Sequence, residues 1–152
     1  MKVILMFILL LMFVSSCWAQ QSTANIIVTI ERKACFGSCP VYSAWIYSDG
    51  SVIYKGVENV KITGEKKHKV TQERVKRLLE AFVKADYFSF KDEYVADENG
   101  MSVTDLPTTI TSLTLKGRKK QVINYYKAPK ELEKLENQIE FLIDLDENIG
   151  PI

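Results

Sequence analysis

The pattern of hydrophobic periodicity predicts an α+β fold: an antiparallel sheet of about six strands with two helices packed on one face. Three observations carry this expectation. Period-two alternation recurs in short segments, two pairs of which are joined by glycine-containing turns. Only two segments have helical spacing, one following Thr71 and one following Pro129. Along the chain the order is four strands, helix, two strands, helix. Strands grouped in hairpins, without strand–helix–strand alternation, disfavour a parallel sheet.

Each element has its own warrant. Ile26–Arg32 is rich in β-branched residues, with Ile26, Val28 and Ile30 alternating against Ile27, Thr29 and Glu31. A loop, Lys33–Pro40, leads to a second strand, Val41–Tyr47. Asp49-Gly50 separates it from Val52–Val57, and that dipeptide predicts a tight primed turn, whose positive φ glycine tolerates freely. Val60–Val70, polar around Gly64, is expected at an edge. Thr71 can cap the first helix, with Gln72 and Glu73 in its first turn and Val75, Leu78, Leu79, Phe82 and Val83 on one face. That helix ends near Asp86, before the aromatic cluster Tyr87, Phe88 and Phe90. Asp92–Asp105 has the composition of a loop. Thr108–Lys116 alternates Ile110, Ser112 and Thr114 against Thr109, Thr111, Leu113 and Leu115. A turn over Lys116–Lys120 returns the chain along Gln121–Tyr126. Pro129 opens the second helix, whose Leu132, Leu135, Ile139, Leu142 and Ile143 form an apolar stripe stopped by Gly150-Pro151. The sheet face away from the helices is expected to carry Tyr42, the neighbours of Trp45, or threonines, according to register.

The N-terminal segment is of another kind. Lys2 is followed by an unbroken apolar run of twelve residues, Val3–Val14, and then by Ser15 and Ser16. Twelve residues are too few to span a bilayer, which takes roughly 20. Positive start, apolar run and small residues are the order of a secretory signal peptide. Two processing routes stay open. Val14-Ser15-Ser16-Cys17 resembles a lipobox, which would remove residues 1–16 and lipidate Cys17. Cys17-Trp18-Ala19 before Gln20 resembles a signal-peptidase site, which would remove residues 1–19. Either route places the protein in the envelope of a bacterium (periplasm, or outer membrane as a lipoprotein) or outside the cell. Residues 20–24 read as a short polar leader, and residues 25–148 as a single domain without repeats or linkers.

Charge excludes function classes. The chain holds 20 basic and 19 acidic residues, and losing Lys2 with the signal segment leaves 19 of each. A neutral chain lacks the basic face that nucleic-acid binding requires, and a polybasic membrane contact is equally unsupported. One histidine makes His-dependent catalysis or a multi-His metal site hard to assemble.

The densest feature is Cys35-Phe36-Gly37-Ser38-Cys39-Pro40. With Cys17 lipidated or removed, an even pair of cysteines remains, and in an exported chain such a pair reads as a disulfide. It would close a five-residue loop, worth roughly 2 kcal/mol on the chain-entropy model. Gly37 would relax the small ring, Phe36 and Ser38 would be displayed at its tip, and Pro40 would fix the exit. The rival reading is copper or thiol redox, because Cys-x3-Cys-Pro also occurs in thioredoxin-class copper chaperones, which add a distant histidine; His68 is available. That class starts a helix at its second cysteine, whereas Pro40 here leads into a β-type run. Zinc would need two further ligands.

Other candidates are weaker. His68, in Lys66-Lys67-His68-Lys69, reads as a solvated surface residue. Asp92, Glu93, Asp97, Glu98 and Asp105 gather in one loop, but the regular calcium-loop order is missing. Asp105-Leu106-Pro107 reads as conformational: Pro107 favours extended Leu106, and Asp105 can bond nearby amides. Tyr42, Trp45, Tyr47, Tyr54, Tyr125 and Tyr126 are expected in the core or in cross-strand pairs, with a stacking platform for sugar or peptide as the alternative.

Taken together, Cys35-Phe36-Gly37-Ser38-Cys39-Pro40-Val41-Tyr42, Asp49-Gly50 and Asp105-Leu106-Pro107-Thr108-Thr109 resemble a bacterial family of exported domains of unknown function, over about Ile27 to Ile143. The resemblance implies an envelope domain and brings no catalytic residues. The layout of hairpin, helix ending in Ala85-Asp86-Tyr87-Phe88, hairpin and Pro-started helix is also similar to small bacterial metalloprotease inhibitors of the emfourin type, a likeness that carries over no residues. The leading expectation is a non-enzymatic envelope module, without a cofactor, that binds a protein or peptide through the disulfide-closed loop. The alternatives are a copper or thiol-redox protein using Cys35, Cys39 and His68, a protease inhibitor, and a hydrolase built on the acidic loop.

Overall fold

The structure, a computed structural model, describes residues 24–144. The signal segment, Cys17, most of the leader, the domain end at Asn148 and the Gly150-Pro151 stop lie outside the described residues. Within them the order is β1 (Ile26–Arg32), β2 (Val41–Tyr47), β3 (Ser51–Glu58), β4 (Gly64–Lys69), α1 (Gln72–Lys84), a single 3-10 turn at Tyr87–Ser89, β5 (Glu93–Tyr94), β6 (Thr109–Leu115), β7 (Arg118–Asn124) and α2 (Lys130–Asp144).

The mixed α+β class stands, with one sheet in the order β4-β3-β2-β1-β6-β7-β5. It has seven strands where about six were expected. The added one, β5, pairs parallel to β7 through Glu93 and Tyr94, so the sheet is not wholly antiparallel. Two residues inside the acidic segment carry no periodicity, which is why that stretch reads as loop. The other strand pairs are antiparallel. Between them, β1 and β6 join the two hairpin groups at the middle of the sheet.

Alternation decides which face is buried. In β2, Tyr42, Ala44 and Ile46 are buried while Val41, Ser43, Trp45 and Tyr47 are only partly covered. Val28 and Ile30 on β1, Val52 and Tyr54 on β3, Thr111 and Leu113 on β6 and Val122 on β7 complete the inner face. Tyr42 thus belongs to the core instead of the open face. Trp45 lies opposite Thr29 and Ile53 on the other side, where the Thr29 and Ser112 hydroxyls meet at 2.6 Å.

Both helices cover the inner face. Thr71 caps α1, its hydroxyl accepting from the Arg74 amide. Val75, Leu78 and Phe82 are buried, but Val83, expected on the same stripe, is 63% exposed. The stripe of α2 is buried as expected: Leu132, Leu135, Ile139, Leu142 and Ile143. The helices run antiparallel, Arg74 and Leu78 lying near Gln138 and Leu142 while Ala81 and Ala85 lie near Glu131 and Leu135.

The primed turn expected at Asp49-Gly50 is found at the other hairpin instead. Tyr47 accepts from Gly50, whose φ is +83°, so Ser48–Gly50 is a three-residue connection ending in a left-handed glycine. The primed two-residue turn is Lys116-Gly117, with φ of +51° and +76°, closing β6 onto β7 at Leu115 and Arg118.

Candidate functional site

At one end of the sheet, β1 passes into β2 through the cysteine loop. Cys35 and Cys39 are joined by a disulfide, with Cα atoms 5.7 Å apart. Within the ring the Gly37 amide donates to the Cys35 carbonyl at 3.0 Å. Gly37 has a φ of +149°, a backbone state that a side chain would resist. Asn59 Nδ2 donates to the Cys39 carbonyl at 3.1 Å, tying the ring to the end of β3. Lys33, just before it, donates its amide to the Thr108 carbonyl at 2.9 Å. Gly37 and Ser38 are exposed, and Phe36 is 89% exposed at the tip.

Beneath the roots of this loop lies a polar network that the sequence reading missed. Arg32, the last residue of β1, shares the inner face with Val28 and Ile30, and it pairs with Tyr42 on one side and Thr109 on the other. Its Nε and Nη2 approach Glu140 Oε1 on α2 at 2.8 and 2.6 Å, and its Nη1 donates to Thr109 Oγ1 at 2.8 Å. The Tyr42 hydroxyl donates to the same Glu140 oxygen at 2.5 Å. One turn earlier on α2, Glu136 is 3% exposed and accepts from Asn124 Nδ2 at 2.9 and 3.0 Å.

Burial and charge set the ionisation of this cluster. Burial pushes the Glu136 carboxyl up to about 7, with Glu140 and Glu133 adding to the rise and Asn124 and Arg32 opposing it. Burial, aided by the Glu140 carboxylate, drives the Tyr42 phenol well above its ordinary range. Burial alone would disfavour the Arg32 cation, but Glu140 and Tyr42 outweigh it and hold the guanidinium above its usual value. Deeper in the core, Tyr87 hydrogen-bonds Thr111 at 2.8 Å, and burial raises its phenol too.

The chemistry open to this arrangement is clamping. Glu140 Oε1 already meets three donor atoms, two from Arg32 and one from Tyr42. The network locks α2 onto the strand ends that carry the cysteine loop. Both sequence motifs feed it: Tyr42 follows Cys39-Pro40-Val41, and Thr109 follows Leu106-Pro107-Thr108.

The remaining candidates separate. Asp105 has a φ of +69°, and the Leu106 amide is met by the Tyr125 hydroxyl at 3.4 Å, not by Asp105. Pro107 leads to Thr108, whose carbonyl anchors Lys33. His68 is not solvated as expected: it pairs with Val52 near the opposite end of the sheet from the cysteines, with both ring nitrogens buried and without a hydrogen-bond partner among the described residues. Cys35, Cys39 and His68 are therefore not brought together, and among the described residues no three His, Cys, Asp or Glu side chains form a metal-holding group. Asp97 spends its carboxylate on the amides of Asn99 and Met101, at 2.9 Å each. Of the strand aromatics, Tyr42 and Tyr54 are core, with ring centroids 5.6 Å apart, while Trp45, Tyr47, Tyr125 and Tyr126 are partly exposed.

A signal for the missed residues exists. Arg32 is in phase with the buried set of β1, and Glu136 and Glu140 fall four and eight residues after Leu132, on the buried stripe of α2. A charged residue in phase with a core stripe is almost never buried unless it is paired, so each such residue points to a partner.

No curated protein matches the chain. A family model described as a domain of unknown function, DUF6438, matches residues 26–143, from the first residue of β1 to the last turn of α2. The match takes in the cysteine loop, the Asp-Leu-Pro-Thr-Thr segment and both carboxylates of the clamp, and the chain belongs to this family of domains of unknown function.

Proposed function

We propose that this domain is a non-enzymatic envelope module that binds a protein or peptide partner through the Cys35–Cys39 loop, with Phe36 as the anchor. The observation that carries the reading is Phe36, 89% exposed on a ring closed by a disulfide and held by Asn59. A lone exposed phenylalanine on a flexible loop would mean little. On a ring already ordered, it meets a partner without the entropy loss that ordering a loop imposes, and buried aromatic anchors dominate interface energies. Val57, 56% exposed near the end of β3, adds apolar surface at the same end of the sheet. A protruding ring fits a concave partner, so an enzyme cleft, as in protease inhibition, is the form of partner this shape favours.

The test is a photo-crosslinking amino acid placed at position 36 in the full chain, in the cells that make it, with position 141 as an exposed control. One dominant adduct from position 36, absent from position 141 and lost when Cys35 and Cys39 become serine, is the expected result. Equal adducts from both positions, or none from position 36, would remove the loop from the binding role.

A further inference from the structure

The other end of the sheet carries a second feature. The β1 register slips between Ile26 and Val28, and Ile27 is partly buried against the core. With Val75, Leu79 and Val83 of α1 and Leu115 at the end of β6, Ile27 lines a groove of about 490 Å³. Val75, Leu79 and Val83 are spaced by four and form one line along the helix. Eight residue steps from Val75 to Val83 make that line about 12 Å long. The groove faces solvent, which explains why Val83 is 63% exposed although its phase places it with the core residues.

The charges on the rim are uneven. Lys76 faces Glu80 at 3.8 Å, four residues on. Lys84 and Lys116, at the end where α1 meets the β6–β7 turn, have no carboxylate within ion-pair distance among the described residues. A smaller hollow of about 200 Å³ adjoins there, sharing Val83, Leu115 and Lys116 and adding Arg118, whose guanidinium stacks 4.1 Å above the Phe88 ring. Among the described residues Asp86 is the one carboxylate lining this hollow.

We propose that this groove binds an anionic single-chain amphiphile, a fatty-acid carboxylate, with its acyl chain along Val75, Leu79 and Val83 and its head at Lys84 and Lys116. The exposed surface of the lining is mostly apolar, with Ser48 and Gln72 among its polar members, which suits an acyl chain. The volume is that of a small-ligand site, apolar with a few polar groups at one end. The unpaired lysines select the sign of the head. The proposal does not rest on partner binding at the cysteine loop: the groove begins at Ile27 and the loop at Lys33, on the order of 17–20 Å apart along β1.

The probe is dodecanoate below its micellar concentration, titrated into the protein as isolated from expressing cells and freed of detergent, with methyl NMR as the readout. Saturable one-to-one binding is expected, with shifts confined to Ile27, Val75, Leu79, Val83 and Leu115. Val83→Glu, at an exposed site that keeps the fold, should weaken it at least tenfold by placing a charge in the apolar line. Lys84→Glu with Lys116→Glu should remove the preference for dodecanoate over dodecyltrimethylammonium. Absence of saturable binding, shifts elsewhere, indifference to Val83→Glu, or equal binding of the cationic amphiphile would overturn the proposal. So would binding only to anionic phospholipid vesicles, which would make this a membrane-facing surface instead of a ligand groove.

Discussion

The two ends of the sheet solve opposite problems. At the cysteine-loop end, Arg32, Tyr42, Thr109, Glu140, Asn124 and Glu136 put polar groups under a helix and satisfy nearly all of them with one another. At the turn end, the surface exposed beside α1 is mostly apolar, and it stays open to solvent between Ile27, Val83 and Leu115. A closed polar network holds fixed whatever it supports, because each member is immobilised by the others. An open apolar groove leaves surface to be covered by something else. The comparison therefore assigns rigidity to one end and vacancy to the other, and mutations can break or sharpen that contrast.

The largest expected effect is at Arg32. Arg32→Met leaves the Glu140 carboxylate and the Tyr42 hydroxyl without their cation, and it should lower stability by about 3 kcal/mol, read as a fall in the urea midpoint at unchanged slope. The double variant Arg32→Met with Glu140→Leu should recover much of that loss, since no charge is then stranded. A loss under about 1 kcal/mol in the single variant would show a solvated pair, not a buried clamp.

Next comes Glu136. Its carboxyl, raised to about 7, holds a proton in the folded state that the unfolded chain, at its ordinary 4.5, gives up. The folded state therefore binds more protons between these values, so this group's contribution is full below pH 4.5, falls as pH rises, and is level above 7. The total is about 3 kcal/mol. Urea melts from pH 4.5 to 8 should show wild type losing stability relative to Glu136→Gln, which ends the more stable at pH 8. Parallel profiles for the two proteins would place Glu136 in contact with water.

Smaller effects contrast the ring with its tip. Replacing Cys35 and Cys39 by serine should remove about 2 kcal/mol, the entropy of opening a five-residue loop. Phe36→Ala should change stability by less than about 0.5 kcal/mol, as at other solvent-facing positions. Stability blind to Phe36 but sensitive to the ring is what a displayed anchor requires; a large loss at Phe36 would mean that the side chain packs.

The fold was legible wherever a short segment repeats one period. β1, β2, β3 and both helices follow from alternation or four-residue spacing because burial of one face is a local property of the pattern. β5 was not legible, since Glu93 and Tyr94 are strand only by pairing with Ile123 and Asn124. The turn at Asp49-Gly50 differs from its expected type for a related reason. Asp49-Gly50 has the composition of a primed turn, but Asp49 instead accepts from the Ser51 amide and hydroxyl at 2.9 Å each, and glycine alone takes the positive φ. Of the candidate site, the cysteine pair and the exposed Phe36 were legible, and the clamp beneath them was not.

The sequence by itself determined the α+β class, the cysteine ring and the order of hairpins and helices, because each depends on residues close along the chain. Only the tertiary structure decided that Arg32 meets Glu140, 108 residues away, and that Asn124 holds Glu136. Periodicity places all of these on buried faces without saying which charges will meet. That pairing depends on how α2 lies across the strand ends, a long-range choice made by packing, and the same choice leaves the groove beside α1 open.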